Sequence, residues 1–422
     1  KMHRLDGKSW RKSKSDAEKA VADLALSLLE TQASRETLPG FAFDVNCEGI
    51  EAFEAAFAHV ETLDQSLAVE NVKKDMAKPR PMDRLICGDA GFGKTEVAMR
   101  AAFIAAMNGK QVALLAPTTV LAEQHFETFT ARFDGTPIRI EGVSRFQSAG
   151  THEGTFKRLA AGVCDIVIGT HALISGKIKF HDLGLIIIDE EQRFGVRHKE
   201  FLKKLKSSAD VLTLSATPIP RTLYLSMTGV RDMSLIRTPP NERVAVETKI
   251  IREDDLLIKN AIEKELLRAG QVYFLHNRVH TIGKVEKRLR SLCPEARIVT
   301  VHGQMDTRTL AGKMRAFERG EYDILLSTTI IESGIDIPRA NTILIDRADT
   351  FGIAELYQLR GRVGRSSKQG FAYLLLPASG DIDSDARERL AALNRHRELG
   401  AGFNLSVRDL ELRGAGNLLG SQ

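Results

Sequence analysis

The sequence predicts an α/β protein built on two parallel sheets, each covered by helices on both faces. Short apolar runs alternate with helical segments twice along the 422 residues, with a pause around Pro239 and Pro240. This alternation is typical of parallel sheets, because their strands are buried on both faces. A chain of this length also exceeds one ordinary hydrophobic core, so two or three domains are expected.

The predicted strands are short apolar runs that end in a polar or turn residue. The first set lies at residues 83–87, 111–116, 138–143, 165–169, 185–189 and 211–215. The second set lies at residues 244–251, 271–275, 298–301, 323–327, 342–345 and 370–376. Because ligands of open parallel sheets bind at the carboxyl ends of the strands, we expect one working surface there.

These runs divide the chain into four predicted segments. They are an N-terminal helical arm (1–45), a first lobe (46–240), a second lobe (241–384) and a C-terminal helical appendage (385–422). The chain begins without an initiator Met, and we expect it to be a piece of a longer protein.

Composition indicates a globular protein and leaves its partners open. Sixty Lys and Arg against 55 Asp and Glu give a net charge of +5, too small an excess to argue for nucleic acid by itself. The four cysteines are far apart, so we expect reduced thiols in a cytoplasmic protein and no zinc site. No apolar run approaches the roughly 18 residues that cross a bilayer, and no membrane partner is expected.

The strongest motif is a complete phosphate-binding loop between a predicted strand and a predicted helix. It matches G-x-x-x-x-G-K-[ST] at every position. Its glycines let main-chain N–H groups converge on a polyphosphate, while Lys94 reaches the β and γ phosphates and Thr95 binds Mg²⁺. The loop predicts ATP and Mg²⁺ as ligands, bound by Gly88, Asp89, Ala90, Gly91, Phe92, Gly93, Lys94, Thr95 and Glu96.

Two further motifs predict hydrolysis of the bound triphosphate. Asp189 and Glu190 end a buried strand, where one carboxylate holds Mg²⁺ and the other polarises the attacking water. Arg362 and Arg365 lie three residues apart on one helical face of the second lobe. We expect them to neutralise the transition state across a cleft between the lobes.

A weaker pattern lies upstream of the loop. Gln65 precedes the loop by about two dozen residues, and Phe57 lies a little further upstream. The amide suits the edge of an adenine and the ring suits its face. Taken alone, a surface glutamine is the simpler interpretation.

These motifs resemble, in order and spacing, those of superfamily 2 helicases and translocases over residues of about 60 to 380. The strings at 92–103, 193–199, 216–222, 399–403 and 409–420 are similar to the translocase module of bacterial transcription-repair coupling factors, with RecG as a near relative. The resemblance implies two RecA-like lobes with ATP between them, and movement along double-stranded DNA without strand separation. It also implies that the parent protein contacts RNA polymerase and excision-repair proteins through parts absent from this chain.

The same resemblance implies roles for particular residues. Gln192 would join Arg362 and Arg365 at the γ-phosphate, and Gly334 with Asp336 would contact the far side of the nucleotide. Ser215, Thr217 and Arg413 would couple the lobes, Arg413 within a helical-hairpin translocation motif at 397–419. Contacts to the DNA backbone are implied for Thr118, Thr119, Arg145, Thr170, His171, Asn277, Arg278, His302, Gln304 and Thr328.

Two other interpretations remain open. A RecG-like helicase that migrates branched DNA needs a wedge domain, and nothing N-terminal resembles an oligonucleotide-binding barrel. A nucleotide-gated clamp on DNA or a partner, with negligible turnover, belongs to a different class. The full set of Lys94, Asp189, Glu190 and Arg362 argues against the clamp.

Overall fold

The computed structural model describes residues 38–143, 149–174, 178–194, 209–216, 231–240, 243–328, 336–364, 368–396 and 398–405. Across these ranges, the strands form two sheets in which every pairing is parallel. Most of the predicted arm (1–37) and most of the predicted translocation motif (406–422) lie outside the described residues.

The first lobe is built on a seven-stranded sheet. Its strands are β1 (Asp83–Gly88), β2 (Gln111–Leu115), β3 (Ile140–Val143), β4 (Ile166–Gly169), β5 (Leu183–Asp189), β6 (Asp210–Ser215) and β7 (Asp232–Ile236). They are ordered β3-β4-β2-β5-β6-β1-β7. Its helices are α1 (Ile50–Ala55), α2 (Leu63–Met76), α3 (Lys94–Met107), α4 (Thr119–Arg132) and α5 (Ala149–Ala160).

The second lobe repeats this plan on a six-stranded sheet. Its strands are β8 (Glu247–Arg252), β9 (Gln271–Leu275), β10 (Ile298–Val301), β11 (Ile324–Ser327), β12 (Ala340–Ile345) and β13 (Phe371–Leu376). They are ordered β10-β11-β9-β12-β13-β8. Its helices are α6 (Asp255–Leu267), α7 (Val279–Leu292), α8 (Thr307–Glu318), α9 (Ile353–Arg360) and α10 (Ser384–Arg395).

The prediction of two parallel sheets with flanking helices is confirmed, with corrections at the edges. β3 and β8 begin two or three residues later than their apolar runs, at Ile140 and Glu247. The strand β7 was not predicted, because Asp232 is exposed and the run alternates in burial. Such a half-buried edge strand lacks the continuous apolar signal of the buried strands.

Helix α3 lies at the centre of the first lobe and is buried on all sides. Its residues from Val97 to Ala105 are buried, and α1 and α2 cover the face turned away from the sheet. Five alanines lie in this helix, so its backbone packs close to its neighbours. The helix therefore holds the loop that precedes it on a rigid support.

Side-chain caps start several helices of both lobes. Thr62 and Gln65 form a reciprocal capping box at the start of α2. Thr118, Asp254 and Asp306 each accept a hydrogen bond from the main chain of the first turn of their helices.

Within the described residues, no helix combines the length and the hydrophobicity that crossing a membrane requires. All four cysteines are buried and unpaired.

Candidate functional site

The phosphate-loop motif connects β1 to α3. Gly91 and Gly93 have φ angles of 78° and 79°, in the left-handed region that favours glycine. A Cβ on Gly88 would lie 2.8 Å from the carbonyl oxygen of Ile236 on β7. The glycines are therefore required by backbone conformation and by the close approach of the edge strand.

Lys94 is the first residue of α3 and reaches back over the loop. Its Nζ donates hydrogen bonds to the carbonyl oxygens of Gly88 at 2.6 Å and Asp89 at 2.9 Å. Burial lowers the pKa of Lys94, while the nearby carboxylates of Glu190 and Asp189 act in the opposite direction. The loop thus concentrates one ammonium group within a concave run of main-chain groups, which suits a polyphosphate.

Asp189 ends β5 and contacts a histidine that sequence reasoning missed. The Nε2 atom of His125, on α4, lies 2.8 Å from Oδ2 of Asp189. Burial alone would raise the pKa of Asp189, but the hydrogen bond to His125 and the positive charges of Lys94 and Arg362 outweigh it, so the pKa is lowered. Asp189 is therefore ionised, as a ligand of a divalent cation must be.

Glu190 follows directly and has the opposite character. Its backbone is left-handed, with φ 50° and ψ 56°. Its Oε1 accepts a hydrogen bond from the main-chain N–H of Ala216 at 2.9 Å, and its Oε2 accepts one from Gln192. Burial and the neighbouring charge of Asp189 raise the pKa of Glu190. Two adjacent carboxylates with pKa values moved apart suit one metal ligand and one proton acceptor.

Arg362 brings the second lobe into this site. It lies two residues beyond α9 and is 3% exposed. Its positive charge helps to lower the pKa of Asp189 and opposes the rise in the pKa of Glu190, although both carboxylates belong to the first lobe. Arg362 is therefore close enough to both carboxylates to act on them electrostatically, as the sequence predicts. Arg365 lies outside the described residues.

Gln65 has partners within its own lobe. Its Nε2 donates to the carbonyl oxygen of Phe92 at 2.9 Å, and its Oε1 accepts from the main-chain N–H of Thr62 at 2.8 Å. The side chain therefore braces the phosphate loop from α2. Phe57 is half-buried, with its ring centre 5.7 Å from the guanidinium carbon of Arg100. The adenine roles of Gln65 and Phe57 remain predictions.

Glu96, in the first turn of α3, supports the same region. It accepts hydrogen bonds from Arg100 at 3.1 Å and from Arg132 at 2.8 Å. Thr95 precedes it at the second position of the helix. The structure thus assigns Glu96 a contact to two arginines and leaves its predicted contact with the nucleotide untested.

The residues expected to couple the lobes are only partly described. Ser215 ends β6 and is buried beside Ala216, the residue that donates to Glu190. Asp336 pairs through its main chain with the side chain of Gln124 on α4, at 2.9 and 3.0 Å. Gln124 was not predicted, and it joins the lobes next to His125. Thr217, Gly334 and Arg413 lie outside the described residues.

The residues proposed for DNA follow the carboxyl ends of β2, β4, β9, β10 and β11. Within each sheet these strands are neighbours. Thr118 caps α4 and Thr119 begins it. The side chains differ in access: Asn277, Arg278 and Gln304 are exposed, His171 and His302 are half-buried, and Thr170 and Thr328 are buried. Arg145 lies outside the described residues.

The donor set fits Mg²⁺ bound together with phosphate. No group of three or more His, Cys, Asp or Glu residues able to hold a metal ion occurs in the described part of the chain. Mg²⁺ is commonly held by one or two carboxylates plus the phosphates of a substrate. One ionised carboxylate, Asp189, and the hydroxyl of Thr95 beside the loop match that chemistry.

Two family models match the two lobes separately. The model described as DEAD/DEAH box helicase matches residues 62–225, and the helicase conserved C-terminal domain matches residues 255–367. Among solved structures, RecG bound to a three-way DNA junction superimposes with a TM-score of 0.80 at 31% identity, covering 96% of this chain and 55% of that chain. The helicase Lhr from Mycobacterium smegmatis, bound to single-stranded DNA and AMP-PNP, has a TM-score of 0.62 at 18% identity over 83% of this chain and 50% of that chain, a likeness of fold alone.

These matches, with the loop and the paired carboxylates, define a nucleotide-binding helicase or translocase of superfamily 2 that has two RecA-like lobes and acts as a DNA-dependent ATPase. Curated relatives narrow the class. The transcription-repair-coupling factors of Haemophilus influenzae and Myxococcus xanthus are each 52% identical over 421 residues, 100% of this chain and 37% and 35% of the relatives. The chain belongs to the transcription-repair-coupling factor family and spans little more than a third of the length of these relatives. The predicted resemblance is confirmed.

Proposed function

We propose that this chain is the ATP-driven motor of a transcription-repair coupling factor and moves along double-stranded DNA. One observation carries the proposal: Arg362 of the second lobe lines one cavity with Asp89 and Ala90 of the phosphate loop and with Ala216, whose main-chain N–H donates to Glu190. A site divided between two lobes is assembled only when they approach each other. Hydrolysis and lobe movement are therefore linked.

The chemistry follows from the positions of these groups. Glu190, whose pKa is raised, accepts the proton of the water that attacks the γ-phosphate. Lys94 and Arg362 neutralise the negative charge that spreads over the transferring phosphoryl group. Bound Mg²⁺, held by Asp189 and Thr95, would polarise the phosphate oxygens. Gln192 contacts Glu190 and keeps its carboxylate directed towards the site.

Contacts to DNA are proposed at the strand ends of both lobes. Threonine, histidine, asparagine and main-chain N–H groups suit phosphate oxygens, which position a protein without reading sequence. The exposed residues Asn277, Arg278 and Gln304 are the best candidates, because they need no rearrangement to reach a ligand. Helix α4 supports the same mechanism, since it begins at Thr119 and carries His125 to Asp189.

The name of the relatives supports a wider role for the longer protein. We propose that the parent acts in the cytoplasm on stalled RNA polymerase, which it pushes or releases, and aids recruitment of nucleotide excision repair. Those partners would bind segments outside this chain. A matched comparison of the parent protein with this fragment on stalled transcription complexes tests that division of roles.

The motor is tested first by steady-state ATP hydrolysis of the fragment, alone and with linear duplex or single-stranded DNA, beside Lys94→Ala. We expect duplex DNA to stimulate turnover and the variant to lose it by at least about 100-fold, the scale of a lost phosphate-stabilising group. Displacement of a DNA triplex then measures translocation directly. Absence of turnover under every condition would favour the nucleotide-gated clamp over the motor. Stimulated hydrolysis without triplex displacement would contradict movement along DNA.

A further inference from the structure

We propose that Asp89 is a positioning residue, and that its carboxylate ties the phosphate loop to both α9 and the C-terminal segment 398–405. We call Asp89, Tyr357 and Gly400 the Asp89 latch. The inference deepens the proposed function, because it rests on ATP hydrolysis between the lobes. It assigns to Asp89 a partner in the protein where the motif alone suggests a nucleotide ligand.

The side chain of Asp89 points away from its own lobe. Its Oδ2 accepts a hydrogen bond from the hydroxyl of Tyr357 on α9 and another from the main-chain N–H of Gly400, the latter at 2.8 Å. Asp89 is 8% exposed and Tyr357 is 5% exposed. A buried carboxylate that accepts two hydrogen bonds is costly to release, because separation leaves the charge desolvated.

Tyr357 is well suited to remain the donor. Burial, and then the neighbouring charge of Asp89, raise the pKa of its hydroxyl above the usual range. The guanidinium of Arg360 lies 4.5 Å from the centre of the Tyr357 ring, and its Nη1 donates to the carbonyl oxygen of His396 at 3.0 Å. One helical turn thus binds both the phosphate loop and the chain that leads to the C-terminal segment.

The segment 398–405 is packed between the lobes. Leu399 lies against the first-lobe core, whereas Ala401 and Leu405 belong to the second-lobe core. Gly400 has a φ of 84°, and a Cβ there would collide with the carbonyl of Arg237. These contacts hold the segment at one position relative to both lobes.

Gly402 provides an independent sign of close approach. A Cβ at this position would collide with Oδ1 of Asp89 and lie 2.8 Å from Cε1 of Tyr357. A glycine is therefore required for the segment to pass over the latch. The phosphate loop, α9 and the C-terminal segment meet at this carboxylate.

The consequence for hydrolysis follows from the path of the chain. Arg362 lies five residues after Tyr357, so fixing that tyrosine on the loop fixes where the guanidinium enters the site. Asp89 acts on catalysis through Arg362 and need not touch the nucleotide. A misplacement of about 1 Å in such a group costs up to about 100-fold in rate.

The test uses the whole fragment and four variants. Asp89→Ala removes the acceptor, Asp89→Asn keeps an oxygen there, Tyr357→Phe removes one donor, and Gly402→Ala pushes the segment away without altering Asp89. The control is Gly283→Ala in α7, where an added Cβ meets nothing within 4 Å. The readouts are kcat and KM for ATP, the Kd of a fluorescent ATP analogue, and hydrogen exchange of residues 398–405.

We expect Asp89→Ala and Gly402→Ala to lower kcat about tenfold while the Kd changes by less than about threefold. Tyr357→Phe should lower kcat severalfold, Asp89→Asn should restore part of the loss, and exchange of 398–405 should rise in each weakened variant. The double variant Asp89→Ala with Tyr357→Phe should be no worse than Asp89→Ala alone, because Asp89→Ala already removes the hydrogen bond that Tyr357→Phe breaks. Gly283→Ala should match the unsubstituted fragment in kcat, Kd and hydrogen exchange.

Two results would overturn the latch. If Asp89→Ala weakens analogue binding about tenfold while kcat at saturation stays unchanged, Asp89 is a nucleotide ligand. If Tyr357→Phe and Gly402→Ala match the unsubstituted fragment in both kcat and hydrogen exchange, Asp89 does not act through the second lobe. Hydrogen exchange separates these outcomes from failure of the motor proposal, since it reports the contact even where triplex displacement is absent.

Discussion

The two lobes contain the same turn at the end of corresponding strands. From Asp189, the last residue of β5, the chain runs through the left-handed residue Glu190 into a 3₁₀ turn at 191–193. After β12 it runs through Asp346 and the left-handed residue Arg347, φ 52°, into a 3₁₀ turn at 348–350. β5 lies beside β2 in one sheet, and β12 lies beside β9 in the other.

In each of the two turns, a histidine contacts the aspartate. The Nε2 of His125 lies 2.8 Å from Asp189, and the Nδ1 of His276 lies 2.5 Å from Asp346. The difference is at the left-handed position, because Arg347 pairs with Asp349 and supplies no proton acceptor. The same backbone therefore supports hydrolysis only where a carboxylate faces a phosphate loop. Architecture alone does not define the site.

The first prediction concerns the left-handed position, where the two turns carry different residues. Glu190→Gln keeps the shape of the side chain but removes the proton acceptor, so ATP turnover should fall by about 100-fold to 10,000-fold. Binding of a fluorescent ATP analogue should persist. The matched change Arg347→Gln in the second lobe should leave the single-turnover rate within about twofold. Equal losses in the two variants would show that the turn, and not the carboxylate, matters.

The second prediction concerns the paired histidines. His125→Ala removes the partner of Asp189, and we expect turnover at low Mg²⁺ to fall about 10-fold to 100-fold, the effect of losing a group that orients a metal ligand. Excess Mg²⁺ should recover part of this loss. His276→Ala should leave the Mg²⁺ dependence unchanged, so a Mg²⁺ titration of both variants is the measurement. If the Mg²⁺ dependence of turnover is unchanged in His125→Ala, that histidine does not orient the metal ligand.

The third prediction sharpens the contact between the lobes. Gln124→Leu removes two hydrogen bonds to the main chain of Asp336, and we expect kcat to fall about threefold to tenfold with thermal stability little changed. Thr130→Ala, an exposed position on the same helix, is the control. Stimulation by duplex DNA should shrink in Gln124→Leu alone. Unaltered stimulation would place the coupling elsewhere.

The smallest effect compares an ion pair from each lobe. Asp75 is buried and contacts Arg84 at 2.6 Å, whereas Arg297 beside Asp323 has 57% of its side chain exposed. We expect Asp75→Asn to lower the free energy of unfolding by about 2–4 kcal/mol, near the cost of breaking a buried pair. Asp323→Asn should cost no more than about 1 kcal/mol. Urea unfolding of both variants measures the difference.

The pH dependence of the same pair has a definite sign. Burial alone would raise the pKa of Asp75, but hydrogen bonds from Arg84 and Lys78 outweigh it and lower the pKa. Its stabilising contribution is therefore present above the unfolded value of about 3.9 and is lost as the pH falls through the lower folded value. The difference in the free energy of unfolding between the unsubstituted fragment and Asp75→Asn should shrink below about pH 4. A difference that grows in acid would contradict this assignment.

Features that depend only on neighbouring residues were predictable from the sequence. The phosphate loop at 88–95 and the strand that ends in Asp189 and Glu190 could be predicted, because glycine sterics, helix starts and buried apolar runs are local properties. The two-lobe plan followed from the repeat of those runs. The edge strand β7 escaped, because half its side chains face away from the core.

Contacts between residues far apart in the chain depend on how the strands are ordered and how the lobes pack. His125 and Asp189 are 64 residues apart, and Asp89 lies 268 residues from Tyr357 and 311 from Gly400. No spacing rule connects such positions, since their contact depends on strand order and on how the lobes pack. For the same reason Gln65 contacts the loop main chain and Arg347 repeats the turn of Glu190 without its chemistry. Motifs can be recognised in the sequence because they depend on local sterics, whereas long-range packing determines which partner each side chain meets.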